Sequence, residues 1–210
     1  MADRRQEILD AALALADDQG LDAVSMRAVA ERTGVTAMAL YPHVGSKAEL
    51  LDGMLGRLIA DAGPVPDPEL DWRERLRMLL RSARQLTHRH PWAAALVFSR
   101  PSVTPDAARG VDLFYTALLD AGVPPAEVPR LERLLTTLAL GYGASEAGGR
   151  FGPPEVDPRA IRGQLRGETL PGHAAVVRWL EAPVDWDAQF ETDLDDLIGM
   201  IERAASSAPA

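Results

Sequence analysis

The chain has 210 residues, of which 47% are hydrophobic and 25% charged, and a formal net charge of −9. It has no cysteine, and its longest apolar run, residues 92–98, is far shorter than a membrane span, which excludes disulfides, thiolate metal sites and a spanning helix. We therefore expect a soluble, cytoplasmic protein with no membrane partner, and the negative charge argues against nucleic acid unless the few cations are gathered in one place.

The first 61 residues predict four helices and a tight turn. Apolar residues recur at helical spacing over 5–19, and Gly20 follows where a helix usually ends. Ser25 has the chemistry of an N-cap, Gly34 marks a turn, and Ser46 and Glu49 form a capping box. The predicted helices are 5–19, 25–32, 36–41 and 46–61.

The rest of the chain also predicts helices. The stiff segment 63–68 contains three prolines and is the best candidate for a domain boundary, which divides the chain into residues 1–61 and 62–210. Residues 148–172, rich in glycine, proline and charge, predict a long mobile loop. The periodicity predicts helices over 72–86, 91–98, 104–119, 128–142, 173–181 and 187–205. The fold class is all-α.

Residues 25–47 have the pattern of a helix-turn-helix. Two short helices that cross closely need a small residue at their contact and a glycine in the turn, and Ala30 and Gly34 provide them. The second helix contains Pro42, which lacks a backbone donor and is expected to end or kink it. The outward side chains of this helix, sized for a major groove, are Thr36, Ala37, Met38 and Tyr41.

The sequence L-Y-P-H at 40–43, followed by S-K at 46–47, resembles the tetracycline-repressor-like (TetR) family of bacterial regulators. The resemblance implies a helix-turn-helix DNA-binding domain over 1–61 and an effector-binding and dimerisation domain over 62–210. It also implies that Arg27 contacts a base edge. Ala37 replaces a hydrogen-bonding residue of the family, so base readout should depend more on Thr36 and on apolar contacts. The residues implied to hold phosphates are Tyr41, His43 and Lys47.

Several of these residues have other interpretations. Tyr41 is alternatively a partly buried core aromatic, and Arg27 is alternatively a solvated surface charge. His88 and His90 lie two residues apart, so they suit polar positions at a helix end better than a metal site. The acidic stripe at Asp187, Glu191 and Asp195 is interpreted as a solvated face.

The effector pocket is the least specific inference. Tetracycline-binding members of the family have a magnesium-binding histidine before the R-P dipeptide, where this chain has Leu96, Val97 and Phe98. We therefore expect neither tetracycline nor a metal-chelated ligand, and no cofactor, but a small apolar molecule. The candidate pocket residues are Leu79, Ala83, Leu96, Phe98, Phe114, Leu118, Leu138 and Tyr142, with Glu146 as a polar anchor.

The resemblance predicts a homodimeric transcriptional repressor, not an enzyme, that binds a palindromic operator and leaves it when its effector binds. The predicted dimer interface is a four-helix bundle built from helices near 126–146 and 187–205 of each subunit. The last of these helices carries the apolar stripe assigned to that interface, Phe190, Leu194, Leu197 and Ile201. The alternative is a helical bundle that binds a small molecule, or an enzyme on the same scaffold, without DNA binding.

Overall fold

A computed structural model of the protein describes residues 4–100, 103–151, 170–180 and 182–206. Within these ranges it contains ten α-helices, one short 3₁₀ turn and no strand, which confirms the all-α prediction. The helices are α1 (Arg4–Gln19), α2 (Met26–Thr33), α3 (Ala37–Val44), α4 (Lys47–Ala60), α5 (Trp72–Arg89), α6 (Ala93–Ser99), α7 (Pro105–Asp120), α8 (Val128–Ala147), α9 (Pro171–Leu180) and α10 (Trp186–Ser206). Residues 152–169 of the predicted mobile loop lie outside the described ranges.

Side-chain caps fix the starts of several helices. The Ser25 hydroxyl accepts a hydrogen bond from the Ala28 backbone N–H at 3.1 Å, and the Ser46 hydroxyl accepts one from Glu49 at 3.2 Å. The Thr104 hydroxyl does the same for Ala107 at 3.2 Å. Each cap satisfies a backbone donor that the first turn of a helix leaves free. The predicted helix starts near these residues are therefore confirmed.

Pro42 lies inside α3, and the predicted end of the helix at about Tyr41 comes three residues too early. The helix continues through Val44. Proline removes one N–H and one intrahelical hydrogen bond, but the Gly45 N–H still donates to the Tyr41 carbonyl at 2.8 Å and closes the last turn. The second helix of the motif is therefore longer than the sequence indicated.

Two hydrophobic cores organise the molecule. The first joins α1–α4, with Ile8, Val29 and Leu40 fully buried, and extends to residues of α5, α6 and α8. The second is built from α5, α7, α8 and α10. Helices α5 and α8 make the most extensive helix–helix contact in the described residues. The segment between α4 and α5 is free of helix, and the domain boundary at residue 61 stays a prediction.

The connecting helix α4 lies very close to α7. A Cβ at Gly56 would overlap the Thr104 hydroxyl, and a Cβ at Gly110 would overlap the Ile59 side chain, so glycine is required at both points. Near the other end of α4, Arg100 donates to the Asp52 carboxylate at 2.7 Å and to the Ala48 carbonyl at 2.9 Å. These contacts join α4, at points along its length, to α7 and to the end of α6.

The apolar stripe of α10 faces the core of its own chain. Phe190, Leu194 and Ile201 are fully buried, and Leu197 is 8% exposed, among residues of α5, α7 and α8. The assignment of this stripe to a dimer interface is therefore wrong. The physical reason is that α5, α7 and α8 leave an apolar groove that the stripe of α10 fills.

The sequence predicts that the acidic stripe of α10 is a solvated face. The stripe is largely exposed, but its carboxylates are also paired with cations of the same chain. It lies opposite a row of arginines on the antiparallel helix α5. Arg81 donates two hydrogen bonds to Glu191, at 2.8 and 2.7 Å, and these bonds hold the pKa of Glu191 below its ordinary value. The other pairs are Arg73 with Glu202, Arg77 with Asp195 and Arg84 with Asp187. The two helices are joined by this ladder, while exposure and salt keep each pair weak.

Candidate nucleic-acid interface and ligand cavity

The turn between α2 and α3 has the geometry that the sequence predicted. Gly34 adopts a left-handed conformation with φ 69°, which glycine allows at no steric cost. Its N–H and that of Val35 bond back to the carbonyl of Ala30, at 3.0 Å for Val35. Ala30 and Leu40 are buried where the two helices pack. This turn and packing fix α3 against α2 and leave one side of α3 exposed.

The outward side of α3 carries large apolar side chains. Met38 is 75% exposed and Tyr41 is 44% exposed, while Leu40 and Val44 face the core. The interpretation of Tyr41 as a core residue is therefore wrong. A methionine and a tyrosine exposed on one short helix are typical of a contact surface. Thr36 and His43 are exposed beside them.

Ala37 is the least accessible of the predicted DNA contacts. It is half-buried and packs against the first core. Ala39 and Pro42 are exposed instead, and sequence reasoning missed them as outward residues. Ala39 follows Thr36 by three residues and Pro42 follows Met38 by four, and this helical spacing was the available signal.

Two exposed cations flank this surface. Arg27, on α2, bonds through Nε to the Glu31 carboxylate at 3.0 Å, and both side chains are largely exposed. Lys47 is the first residue of α4, directly after the Ser46 cap, and is exposed. In the described part of the chain Lys47 forms no ion pair. Its charge and the free N–H groups of the first turn of α4 are therefore both available to an anion.

A cavity of about 510 Å³ lies between the two cores. Leu86 and Leu140 from the first core and Leu79 and Phe114 from the second line its walls. The end of α4 and the segment that follows it complete the lining. Of the nine predicted effector residues, the three that line this cavity are Leu79, Ala83 and Phe114.

The other six predicted effector residues do not line the cavity. Leu96, Phe98 and Leu138 lie on a different side of their helix from the residues that do, and Leu118 lies one turn beyond Phe114 on α7. Leu96 and Leu118 are fully buried in the two cores, and it is the neighbouring Val97 that lines the cavity. Phe98 is 56% exposed, and Leu138 is half-buried on a different side of α8 from Thr136 and Leu140. The remaining two, Tyr142 and Glu146, belong to a different cluster.

That cluster is built around Arg84. Its guanidinium donates to Glu146, with Nε at 2.9 Å, and to Asp187 at 2.7 Å, and lies 4.6 Å from the ring centroid of Phe190. Its centre is also 5.2 Å from the Tyr142 ring, and burial raises the pKa of Tyr142 to about 12. Glu146 lines a second cavity, of about 680 Å³. Its carboxylate is thus engaged by Arg84, so it joins α5 to α8 and does not anchor a ligand in the first cavity.

Glu132 is a polar residue of the first cavity that sequence reasoning missed. It is half-buried on α8, and the Thr136 hydroxyl donates to its carboxylate at 3.3 Å. Burial raises the pKa of the Glu132 carboxyl above its ordinary value. Glu132, Thr136 and Leu140 recur every four residues, which could have identified a second inward face of this helix.

His90 ends α5, with Nδ1 2.7 Å from the Asp17 carboxylate, which fits its interpretation as a polar residue at a helix end. Among the described residues no group of three or more histidine, cysteine or acidic side chains is arranged to hold a metal ion. None of the described helices is long and apolar enough to span a membrane.

Comparison with known proteins places this arrangement among bacterial regulators. The family model of the N-terminal domain of bacterial regulatory proteins of the tetR family matches residues 8–54. The model of the tetracyclin repressor-like C-terminal domain matches residues 65–204. The first match covers the helix-turn-helix, and the second covers α5–α8, which form most of the cavity wall.

Individual relatives agree with the family models. An HTH-type transcriptional regulator of Saccharopolyspora erythraea is 27% identical over 96% of this chain and 85% of its own length. The HTH-type transcriptional repressor DrrR1 of Streptomyces coeruleorubidus is 35% identical over 66% of this chain and 52% of its own length.

A solved structure agrees as well. ActR of Streptomyces coelicolor, in its apo form, superposes with a TM-score of 0.82 at 25% identity, over 98% of this chain and 97% of that one. ActR in complex with (S)-DNPA superposes with a TM-score of 0.80, also at 25% identity, over 98% of this chain and 100% of that one. The chain belongs to the TetR family of bacterial transcriptional regulators.

Proposed function

We propose that the protein is a homodimeric repressor that binds a palindromic operator through α3 and is released when a small, largely apolar molecule enters the 510 Å³ cavity. The exposed face of α3, with Met38 and Tyr41 turned to solvent beside Arg27 and Lys47, carries this proposal. The apolar cavity behind it, and the ligand-bound structure of the similar ActR, support the response to an effector.

The proposed roles at the DNA follow from the chemistry of each side chain. Arg27 has the donor fork that reads guanine in the major groove. Tyr41, His43 and Lys47 hold phosphates, with Lys47 adding a cation at a helix start. The remaining contacts to base edges and thymine methyl groups come from Thr36, Met38 and Ala39, with Ala37 at the edge of this surface.

The cavity and the DNA surface are joined through α4. Ile59 and Ala60, at the end of α4, line the cavity together with Gly110 and Phe114 of α7. A ligand that separates α4 from α7 therefore turns the helix that carries the first core. In a dimer this turn changes the spacing of the two recognition helices relative to operator half-sites about one helical turn, or a multiple of it, apart.

A gel shift on the DNA upstream of the protein's own gene tests the function. We expect a retarded complex with this DNA and none with a scrambled duplex at the same salt concentration. Met38→Asp should abolish the complex, because it places a negative charge on the surface proposed to face the DNA. The circular dichroism spectrum should stay unchanged, because Met38 is 75% exposed. The absence of any complex would favour the alternative of a ligand-binding bundle, or an enzyme on this scaffold, without DNA binding.

We predict that Leu134→Glu converts the dimer to a folded monomer. Leu134 is 41% exposed on the outer side of α8, and a Cβ at the nearby Gly141 would meet no atom within 4 Å. This side of α8, with the adjacent side of α10 around Met200, is the surface we propose for the four-helix interface. Sedimentation velocity measures the change. Leu119→Glu, at a comparably exposed leucine on α7, is the control and should stay dimeric.

We also predict that chelators do not affect induction. Magnesium would need converging oxygen ligands, but among the described residues no group of three or more histidine, cysteine or acidic side chains is arranged to hold a metal ion. Asp106, one of the carboxylates in the cavity wall, is instead paired with Arg109. Effector-induced release of operator DNA, measured by gel shift, should therefore be the same with and without EDTA. A requirement for added magnesium would contradict this prediction and indicate a chelated ligand.

A further inference from the structure

The lining of the 510 Å³ cavity has an uneven charge. Most of its wall is aliphatic or aromatic, and its size lies within the range of about 300–1,000 Å³ that is usual for small-molecule sites. Among the described residues that line it, Asp106, Asp112 and Glu132 are acidic and Arg109 is basic. An apolar ligand in this cavity therefore meets a negative wall.

Arg109, the cation in the described part of this wall, already has an acidic partner. Arg109 donates to the Asp106 carboxylate one turn away on α7, so these two charges offset each other. Asp112 is exposed at the edge of the cavity, where water screens it. Glu132 is half-buried, as Asp106 is, but unlike Asp106 it forms no ion pair with a described residue.

Few hydrogen bonds and no ion pair in the described part of the chain offset the negative charge of Glu132. In the described part of the chain it forms no ion pair, and its one hydrogen bond comes from Thr136 at 3.3 Å. Burial penalises the charged form and outweighs both this hydrogen bond and the attraction of the neighbouring Arg133, so the pKa of the Glu132 carboxyl is raised. A cation brought to this point would offset the penalty, whereas an anion would increase it.

We propose that the effector is a lipophilic cation, an apolar ring system with a protonated amine that pairs with Glu132. This inference rests on the proposed function of the cavity and adds the chemical class of its ligand. The ring system contacts Leu79, Leu86 and Phe114, and the ammonium group reaches the Glu132 carboxylate on the α8 side of the cavity. A charge-assisted hydrogen bond in a partly desolvated site is stronger than a neutral one.

Three fluorescent probes with one ring system test the charge preference directly. 1-Pyrenemethylamine, 1-pyrenemethanol and 1-pyrenecarboxylic acid carry a positive, a neutral and a negative group at neutral pH on the same apolar body. Titration of the full-length protein, followed by pyrene fluorescence, should give an affinity for the amine at least about tenfold above that for the alcohol. The carboxylic acid should bind most weakly. Equal or stronger binding of the alcohol or the acid, or no binding of the amine, would overturn the proposal.

Substitution of Glu132 assigns the preference to one side chain. E132Q keeps the size of the residue and should remove the advantage of the amine while leaving the affinity for the alcohol unchanged. The matched control is E127Q, which makes the same change in net charge at the start of α8, where Glu127 pairs with Arg130 outside the cavity. It should keep the preference. An unchanged preference in E132Q would overturn the proposal.

Gel shifts with the same probes separate the ligand class from the proposed function. If the amine binds with a preference that depends on Glu132 but never releases operator DNA, the result supports the cation site and contradicts the effector role of the cavity. If the neutral alcohol releases the DNA as well as the amine does, the effector role stands and the ligand class is overturned.

Discussion

Replacing Arg27 with alanine is expected to weaken operator binding by about 1–3 kcal/mol per half-site and to relax the base preference at one position of each half-site. The reason is that a guanidinium fork makes two bonds to a guanine edge, and alanine makes none. The Arg27 side chain is largely exposed and its ion pair with Glu31 lies in solvent, so giving up that pair for DNA costs little.

Replacing Lys47 with alanine should produce a different loss. A phosphate contact carries no sequence information, so operator and scrambled DNA should weaken alike, and the salt-dependence slope should fall by about one per lost contact. Lys47 has no competing ion pair among the described residues, and the chain as a whole is acidic, with a net charge of −9. Few contacts therefore carry the attraction, and neither substitution should be silent.

Titrations of operator and scrambled duplexes at several salt concentrations distinguish the two roles. Arg32→Ala is the matched control, because Arg32 lies on the same helix as Arg27 but pairs with Asp18 of α1 at 2.7 Å. It should change neither affinity nor preference strongly. If Arg27→Ala behaves like this control, Arg27 is a solvated surface charge. If Lys47→Ala alters base preference, the roles assigned to the two residues are wrong.

Leu194→Asp is expected to unfold the helical bundle and not to release folded monomers. Leu194 is fully buried between α10 and its neighbours in the same chain. Truncating a buried leucine alone costs about 2–5 kcal/mol, and a buried carboxylate without a partner adds a larger penalty. The sum is comparable to the whole free energy of unfolding of a domain, about 5–15 kcal/mol.

Thermal melts followed by circular dichroism measure this effect, with sedimentation to count subunits. The control is Thr192→Asp, which places the same charge on the exposed side of α10 and should melt near the wild-type temperature. A Leu194→Asp variant that is monomeric and fully folded would show that this apolar stripe belongs to the dimer interface. Such a result would contradict the packing described above.

Local chemistry made the secondary structure predictable. Ser25, Ser46 and Thr104 start helices because each offers an oxygen to a free backbone N–H within the next three residues, and that signal is contained in a few neighbouring letters. Gly34 marked its turn for a similarly local reason. Pro42 misled because its effect on a helix depends on which turn it occupies, and near the end of α3 the loss is tolerated.

Long-range partners were not predictable from the same patterns. The stripe of Leu194 indicated a buried face, but periodicity does not tell whether the same chain or a second copy covers it. The acidic residues of α10 meet arginines more than 100 positions earlier in the sequence, as Arg81 and Glu191 show. In the cavity, one step of helix phase separates Val97, which lines it, from Leu96, which does not.

Lys47, at the start of α4, can serve as a chemical probe of DNA binding. It is the sole lysine of the sequence, so an amine-reactive ester has one side-chain target, besides the α-amino group. Acylation removes the positive charge, and bound operator should shield the amine from the reagent. The acylation rate of a single residue therefore reports occupancy of the DNA surface, and its slowing and recovery during an effector titration would follow release in solution.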